Sequence, residues 1–349
     1  MQSEVDPSAL SVLASEFPNV QQAGDVTTLT SLPPADVLFA GFPCQDLSQV
    51  GRTKGIHGSE SSLVTHMFRL INNSAPKPDW IVIENVPFML YLNKGSGIKF
   101  VLENLEELGY EWAFRIVDAN AFGLPQRRRR LVIVASYKSG AAKDVLLADD
   151  TETDPDDSTE ARMAGFYWTE GLRGLGWAEN STPPIKGGSS IGIPAPPAIW
   201  DRHSGMIGTP TIEDTERLQG FPAKWTALAN NEQKRWRLIG NAVPAPLSEW
   251  ISRNLISEKS YDGSKDEMFS GTGSWPKAAW GGKGKISVSS VSERPVNVPS
   301  LPLHEFLSRP LVPLSLRASS GFYNRAQQSR LRFKPGFLDA IEAHIASFG

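Results

Sequence analysis

Cysteine is almost absent from this chain: 349 residues hold one, Cys44. A lone thiol excludes an internal disulfide and a multi-cysteine metal site. Histidine is sparse too, with five residues scattered and none at a metal-ligand spacing, which argues against zinc. No apolar run is long enough to span a bilayer, and the opening Met1-Gln2-Ser3-Glu4 is not a secretory signal. Excess positive charge is missing as well. A formal net charge of −3 excludes coating of nucleic acid by sheer charge, though not a local basic cleft. No internal repeat is visible. What remains is an ordinary globular composition, 40% hydrophobic and 21% charged. The length suits two domains, or one large domain with an appended lobe. The single thiol fits a reducing, cytoplasmic setting.

The first 137 residues alternate strand-like and helix-like segments, which predicts an α/β fold with a doubly wound, mostly parallel sheet. Helices are expected at Pro7–Glu16, Ser62–Asn73 and around Ile98–Leu108, the last stopped by Gly109. Buried strands are expected at Val37–Ala40, Trp80–Ile83 and Leu131–Val134. Six acidic residues in the nine from Asp149 to Asp157 read as a solvated linker. Residues 158–208, rich in Gly, Pro and Trp, read as a loop-rich recognition lobe or a poorly ordered stretch. Helical and strand signals return from Thr211 to Ile256, and a helix is expected over Leu338–Phe348. Between Glu305 and Asp339 there is no acid but six basic residues. That stretch, with Trp275 and Trp280, is either a phosphate-binding surface or packing.

Cys44 follows the strand-like run Val37–Ala40 through Gly41-Phe42-Pro43, and Glu84 ends the next apolar run. A doubly wound sheet delivers both to the carboxyl edge of its strands, where open α/β folds do chemistry. A thiolate could attack an electron-poor carbon there while the carboxyl handles a proton on a ring nitrogen. The bland readings are a buried filler for Cys44 and a capping carboxylate for Glu84. Arg127 to Arg130 suit phosphate oxygens, or merely a solvated positive edge. The glycine-bearing stretch 45–61 reads as a lid or a plain connection.

Five motifs in order then identify a resemblance far more specific than any one of them. Gly41-Phe42-Pro43-Cys44-Gln45, Glu84-Asn85-Val86, Gln126-x-Arg128-x-Arg130, Arg217-Leu218-Gln219-Gly220-Phe221-Pro222 and Gly240-Asn241-Ala242-Val243-Pro244 resemble those of cytosine-C5 DNA methyltransferases of bacterial restriction-modification type. The resemblance implies a Rossmann-like fold that uses S-adenosylmethionine, and a target cytosine flipped from double-stranded DNA. It makes Cys44 the attacker of C6 and Glu84 the partner of N3 and the exocyclic amine, with Arg128 and Arg130 holding the flipped nucleotide. Pro43, Gln45, Ser48, Asn85, Val86, Gln126, Arg217 and Gln219 become expected DNA or substrate contacts. Glu4, Val5, Asp25, Val26, Phe42, Leu63, Asn241, Ala242 and Val243 become expected cofactor contacts, with no metal.

The resemblance divides the chain into a catalytic domain (1–137), a target-recognition region (138–225), a return to the catalytic domain (226–257) and an extension (258–349). It also implies a monomer, in the cytoplasm with the DNA, and a partner restriction endonuclease. One family feature, a Phe-x-Gly-x-Gly loop for the cofactor's methionine end, is not found ahead of Glu4. That departure sets the alternative expectation of an inactive or split-gene fragment that binds DNA without using the cofactor. Transfer-RNA enzymes sharing these motifs form a further alternative, against which the long lobe between motifs favours DNA.

Overall fold

The computed structural model describes residues 1–43, 62–151, 160–188, 194–271 and 273–349. Asp6 caps the first helix, α1 (Pro7–Glu16), by accepting from the Ser8 and Ala9 amides, with Pro7 pre-set for the first turn. Strand β1 is Val37–Gly41, helix α2 Leu63–Asn72 and strand β2 Trp80–Asn85. In α2, Met67, Leu70 and Ile71 face the core, as their spacing predicts, while Leu63 stays half-exposed. Helix α3 (Ser96–Glu107) buries Ile98, Val101, Leu102 and Leu105, and ends before Gly109 at a φ of +93°. Next come β3 (Glu111–Asp118), β4 (Arg129–Ser136) and α4 (Ala141–Leu147).

A second unit follows with β5 (Met163–Phe166), β6 (Ala178–Glu179), β7 (Ala198–Asp201) and β8 (Ile207–Thr209). Helices α5 (Ile212–Leu218), α6 (Glu232–Asn241) and α7 (Ala245–Leu255) lead back toward the first unit. There the chain adds β9 (Glu267–Met268), β10 (Ala278–Gly282) and β11 (Lys285–Val288). The last segment forms β12 (Val312–Pro313), α8 (Leu316–Gln327) and α9 (Phe337–Ala346).

The large sheet has the order β1-β2-β4-β3-β10-β11-β9. Helices cover both of its faces, so successive residues of one strand enter different cores. Ile81, Ile83, Leu131 and Ile133 pack with α2 and α3; Val82, Val132 and Val134 pack with α4 and α7. Double winding therefore holds, but parallel direction does not. Among the described residues only β1–β2 is parallel; β2–β4, β4–β3, β3–β10, β10–β11 and β11–β9 are antiparallel. A continuous apolar run reports burial on both faces and carries no information on strand direction. The reversal comes from β3, a strand the sequence reading passes over, joined to β4 by the short connection 119–128.

One other expectation needs correcting. Asp149 and Asp150 are anchors rather than solvated linker residues. Asp150 pairs with the buried Arg115 at 2.6 Å, and Asp149 accepts from Trp250, Asn254 and Lys259. The extension 258–349, open between meeting DNA and packing, is built into both sheets. Its first part completes the large sheet, and β12 joins the five-stranded sheet β12-β8-β7-β5-β6, against which α8 and α9 pack Phe322, Phe337 and Ile341. Trp275 and Trp280 also pack: Trp275 against Phe114 and Phe269, Trp280 through its indole N–H to Asp266. The strands of that sheet are only two to four residues long, too short to show a period in the sequence.

Candidate active site

β1 and β2 end side by side, with Gly41 opposite Glu84. A Cβ at Gly41 would come within 3.7 Å of the Glu84 carboxylate. The chain that continues through Phe42 and Pro43 thus leaves the sheet beside that carboxylate. Cys44, Gln45, Ser48 and the rest of the expected lid lie outside the described residues. Asn85 fastens the turn: its Nδ2 donates to the Phe42 carbonyl at 3.1 Å and its Oδ1 accepts from the Val86 amide at 2.9 Å. Being 4% exposed with both ends used on backbone, Asn85 supports the turn instead of meeting DNA. Phe42 packs on the core beneath, and Val86 stays partly exposed.

Because β4 runs against β2, its first residues lie next to the end of β2: Asn85 pairs with Leu131 and Glu84 with Val132. Arg130 therefore reaches Glu84, Nε to Oε1, at 2.6 Å. Burial pushes the Glu84 carboxyl above its ordinary range, and Arg130 and then Arg128 oppose that rise. Burial likewise lowers Arg130, with Glu84 pulling it back up. A carboxyl raised in this way holds a proton to higher pH than a solvated one.

Arg128 goes elsewhere. Its guanidinium is 1% exposed and donates to the carbonyls of Ile185 at 2.8 Å, Gly240 at 2.8 Å and Ala242 at 2.9 Å. Burial brings it down to about 9, well above neutrality, so it remains a cation. An arginine spent on three backbone carbonyls has little left for a nucleotide. Arg128 is a brace between three segments, and the expected phosphate or nucleotide contact is corrected accordingly. Arg128 lies just ahead of β4, and Arg129, the first residue of that strand, turns outward to an ion pair with Glu293.

Gln126 and Gln219 follow the same pattern. Both are fully buried: Gln126 donates to the Leu218 carbonyl and accepts from the Ile185 amide, and Gln219 donates to the Ile239 carbonyl. Arg217 binds Asp214 and the Phe306 carbonyl and lies over the Phe306 ring. Gln126 and Gln219 instead tie crossing segments together, because an amide with two donors and an acceptor satisfies backbone on both sides, while Arg217 is held within its own unit. Two residues unmarked by the sequence reading belong to this wall. Asp118 accepts from the Arg128 amide at 3.0 Å, and Tyr167 donates from its hydroxyl to the Pro184 carbonyl at 2.7 Å. Burial raises both, and no spacing or motif in the sequence singles them out.

The expected cofactor residues come from five separate stretches, 4–5, 25–26, 42, 63 and 241–243. Gln2 and Gln22 bridge in parallel, and the Ser3 hydroxyl donates to the Gly24 carbonyl, so Glu4 and Asp25 lie on adjoining segments. Glu4 Oε1 accepts from the Val5 and Asp6 amides, and Asp25 Oδ1 from the Thr27 amide. That last bond, with a second from the Thr27 hydroxyl, holds the Asp25 carboxyl below its ordinary range. Val26 follows Asp25 in that turn. Its neighbours are held to α2 through Arg69, which donates to the Leu29 carbonyl, and Leu63 begins the same helix. Asp6 forms an ion pair with Arg237 of α6, one turn before Asn241, Ala242 and Val243. Acceptor oxygens on adjoining segments are what ribose hydroxyls and an adenine amine, as donors, require.

With this geometry, residues 1–165 match the model of the C-5 cytosine-specific DNA methylase family. Type II methyltransferase M2.BsuMI of Bacillus subtilis (strain 168) is 45% identical over 354 aligned positions, covering 97% of this chain and 90% of that one. Type II methyltransferase M.MspI of Moraxella sp is 26% identical, over 72% of this chain and 64% of its own. Among solved structures, the S. pombe Dnmt2 methyltransferase shares the fold at a TM-score of 0.50 and 16% identity, covering 73% of this chain and 89% of that one. The chain belongs to the C-5 cytosine-specific DNA methylase family.

Proposed function

We propose that this DNA cytosine-C5 methyltransferase works through Cys44 as nucleophile and Glu84 as the group that holds the ring. The observation that carries the assignment is Glu84 itself: raised by burial, beside the Gly41–Pro43 turn, and paired with Arg130. A protonated Glu84 donates to N3 of a flipped cytosine and draws electron density from C6. The Cys44 thiolate adds to C6, and C5 becomes electron-rich. S-adenosylmethionine supplies the methyl group. Loss of the C5 proton and departure of the thiolate then restore the ring. Arg130 keeps the Glu84 side chain pointed at the base, and Asn85 keeps the Phe42–Pro43 turn that presents the thiol. Glu4 and Asp25 are the proposed acceptors for ribose and adenine. Val5, Val26, Phe42, Leu63, Asn241, Ala242 and Val243 are the proposed walls. Pro43 and Val86 would border the base.

In this reading the enzyme acts on duplex DNA in the cytoplasm as a monomer, and a restriction endonuclease of the same sequence preference is its functional partner. No helix among the described residues is long and apolar enough to cross a membrane. Duplexes carrying 5-fluorocytosine test the central step, because fluorine at C5 blocks proton loss and leaves the thiol bonded to C6. The expected result is a denaturation-resistant protein–DNA adduct that requires S-adenosylmethionine and is absent in Cys44→Ser. A Cys44→Ser variant that still methylates DNA would remove the thiol from the mechanism.

A further inference from the structure

The stretch after β5 forms a tight loop whose tip is free. Tyr167 N–H donates to the Leu175 carbonyl, and Gly171 N–H to the Gly174 carbonyl, closing a turn over Leu172 and Arg173. Leu172 is 47% exposed, and Arg173 is exposed with no hydrogen bond or ion pair to any described residue. The nearby carboxylate, Glu170, is engaged by Lys186 at 2.6 Å, so it leaves Arg173 unneutralised. Gly171 has a φ of +107°, and a Cβ there would lie 3.0 Å from the Phe322 ring, so the turn fits only a glycine.

Two connections fix where this tip stands. At its base the Tyr167 hydroxyl binds the Pro184 carbonyl, and the next residue, Ile185, accepts from Arg128, two residues before Arg130 of the active site. From behind, α8 holds it: Arg325 donates from Nε to the Glu170 carbonyl at 2.9 Å and from Nη2 to the Trp168 carbonyl at 2.8 Å. One guanidinium thus pins two carbonyls of the turn that leads into the tip. A loop that only neutralised phosphate would need no such bracing, because phosphate contacts position without reading sequence. A side chain that reads a base edge must be held in register.

We propose that the turn 171–174 is a DNA-reading element of this enzyme, with Arg173 the specificity-determining residue for a guanine edge and Arg325 its positioning residue. The inference rests on the DNA methyltransferase reading above. The guanidinium fork of Arg173 matches the O6 and N7 acceptors that guanine presents in the major groove. Leu172 beside it suits an apolar contact in the same groove. The role of α8 also accounts for the C-terminal segment, whose helices otherwise only add packing.

The test is selection from a random duplex pool by wild-type protein and by Arg173→Ala, Arg173→Lys and Arg325→Ala, with methylated positions read by bisulfite sequencing. Wild type should enrich one motif. Arg173→Ala should lose preference at one guanine position by about 10-fold or more, with other positions unchanged. Arg173→Lys should lose the same preference, because lysine keeps the charge but not the fork. Arg325→Ala should relax that same position, and the double variant should add little to either single change there. Loss of affinity that is uniform across sequences and restored by lysine would make Arg173 a phosphate contact and overturn the proposal. So would an unchanged motif in both Arg173 variants. A wild-type protein that enriches no motif and methylates nothing would sink the underlying enzyme reading as well.

Discussion

Gly187 and Gly240 cross so closely that a Cβ on Gly240 would fall 2.2 Å from the Gly187 nitrogen and 2.4 Å from its Cα. The contact joins the segment that follows β6 to the last turn of α6, where Asn241 to Val243 begin the proposed cofactor wall. Backbone on both sides cannot yield as a flexible side chain does. Gly240→Ala should therefore destabilise the protein by about 2 kcal/mol or more, read as a lower thermal midpoint. Gly187→Ala should be milder, since the first atom it meets is the Asn241 side-chain oxygen at 2.7 Å. Equal midpoints for the two variants would show that the crossing is looser than the structure gives.

Glu84→Gln isolates the proton. The amide retains shape and a hydrogen bond to the ring but cannot place a proton on N3. Single-turnover methyl transfer should fall by about 10²- to 10⁴-fold, while duplex affinity changes little. The pH dependence supplies the sign. Because burial raises Glu84, its protonated form persists above the ordinary carboxyl range, and transfer should decline as pH rises through that raised value. Glu84→Gln should lose that decline. A variant retaining both the rate and the profile would take Glu84 out of the proton transfer.

Arg128→Ala removes the cation that three carbonyls share, leaving Ile185, Gly240 and Ala242 without their donor. Each buried group left unpaired costs about 1–3 kcal/mol, so the variant should unfold far more readily. Arg128→Lys cannot reach three divergent carbonyls with one ammonium and should restore only part of that loss. Chemical-denaturation curves measure both. A near-neutral Arg128→Ala would return this residue to the role of a nucleotide contact.

Much of this was legible in the sequence. Apolar spacing found α2 and α3 and the strands β2 and β4, because those elements bury a complete face or both faces; α1 and β1 form where expected but bury little, and β1, expected as a buried strand, leaves Phe39 52% exposed. The motifs located Gly41, Glu84 and Arg130, which the sheet brings together. Strand direction was not legible, since burial is the same whichever way a strand runs. Nor was the division of labour among Gln126, Arg128 and Gln219. A polar residue that caps crossing backbones has the same letter as one that meets DNA, and only the partner distinguishes them. Asp149 and Asp150 misled for a related reason. An acidic run looks solvated until buried Arg115 and Trp250 arrive from far along the chain.

Asp149 gives a prediction whose pH dependence follows from its partners. Burial alone would raise its carboxyl, but bonds from Lys259, Asn254 and Trp250 outweigh that and hold it below the ordinary range. A carboxyl depressed in the folded state contributes stability that is fully present above its unfolded value, about 3.9. That stability is lost as pH falls through the folded value. Asp149→Ala should thus cost about 1–3 kcal/mol near pH 7, with the Trp250 indole left unpaired between α4 and α7 and Asn254 keeping only its bond to the Val145 carbonyl and that from Lys259. On acidification the gap between variant and wild type should narrow, as wild-type Asp149 gains its own proton. Asp149→Asn, which keeps an acceptor without the charge, should fall between the two at neutral pH and lose less on acidification than wild type. Urea midpoints measured across that range decide it: a gap that is constant with pH would mean that packing at the α4–α7 seam, and not the charge on Asp149, sets the loss.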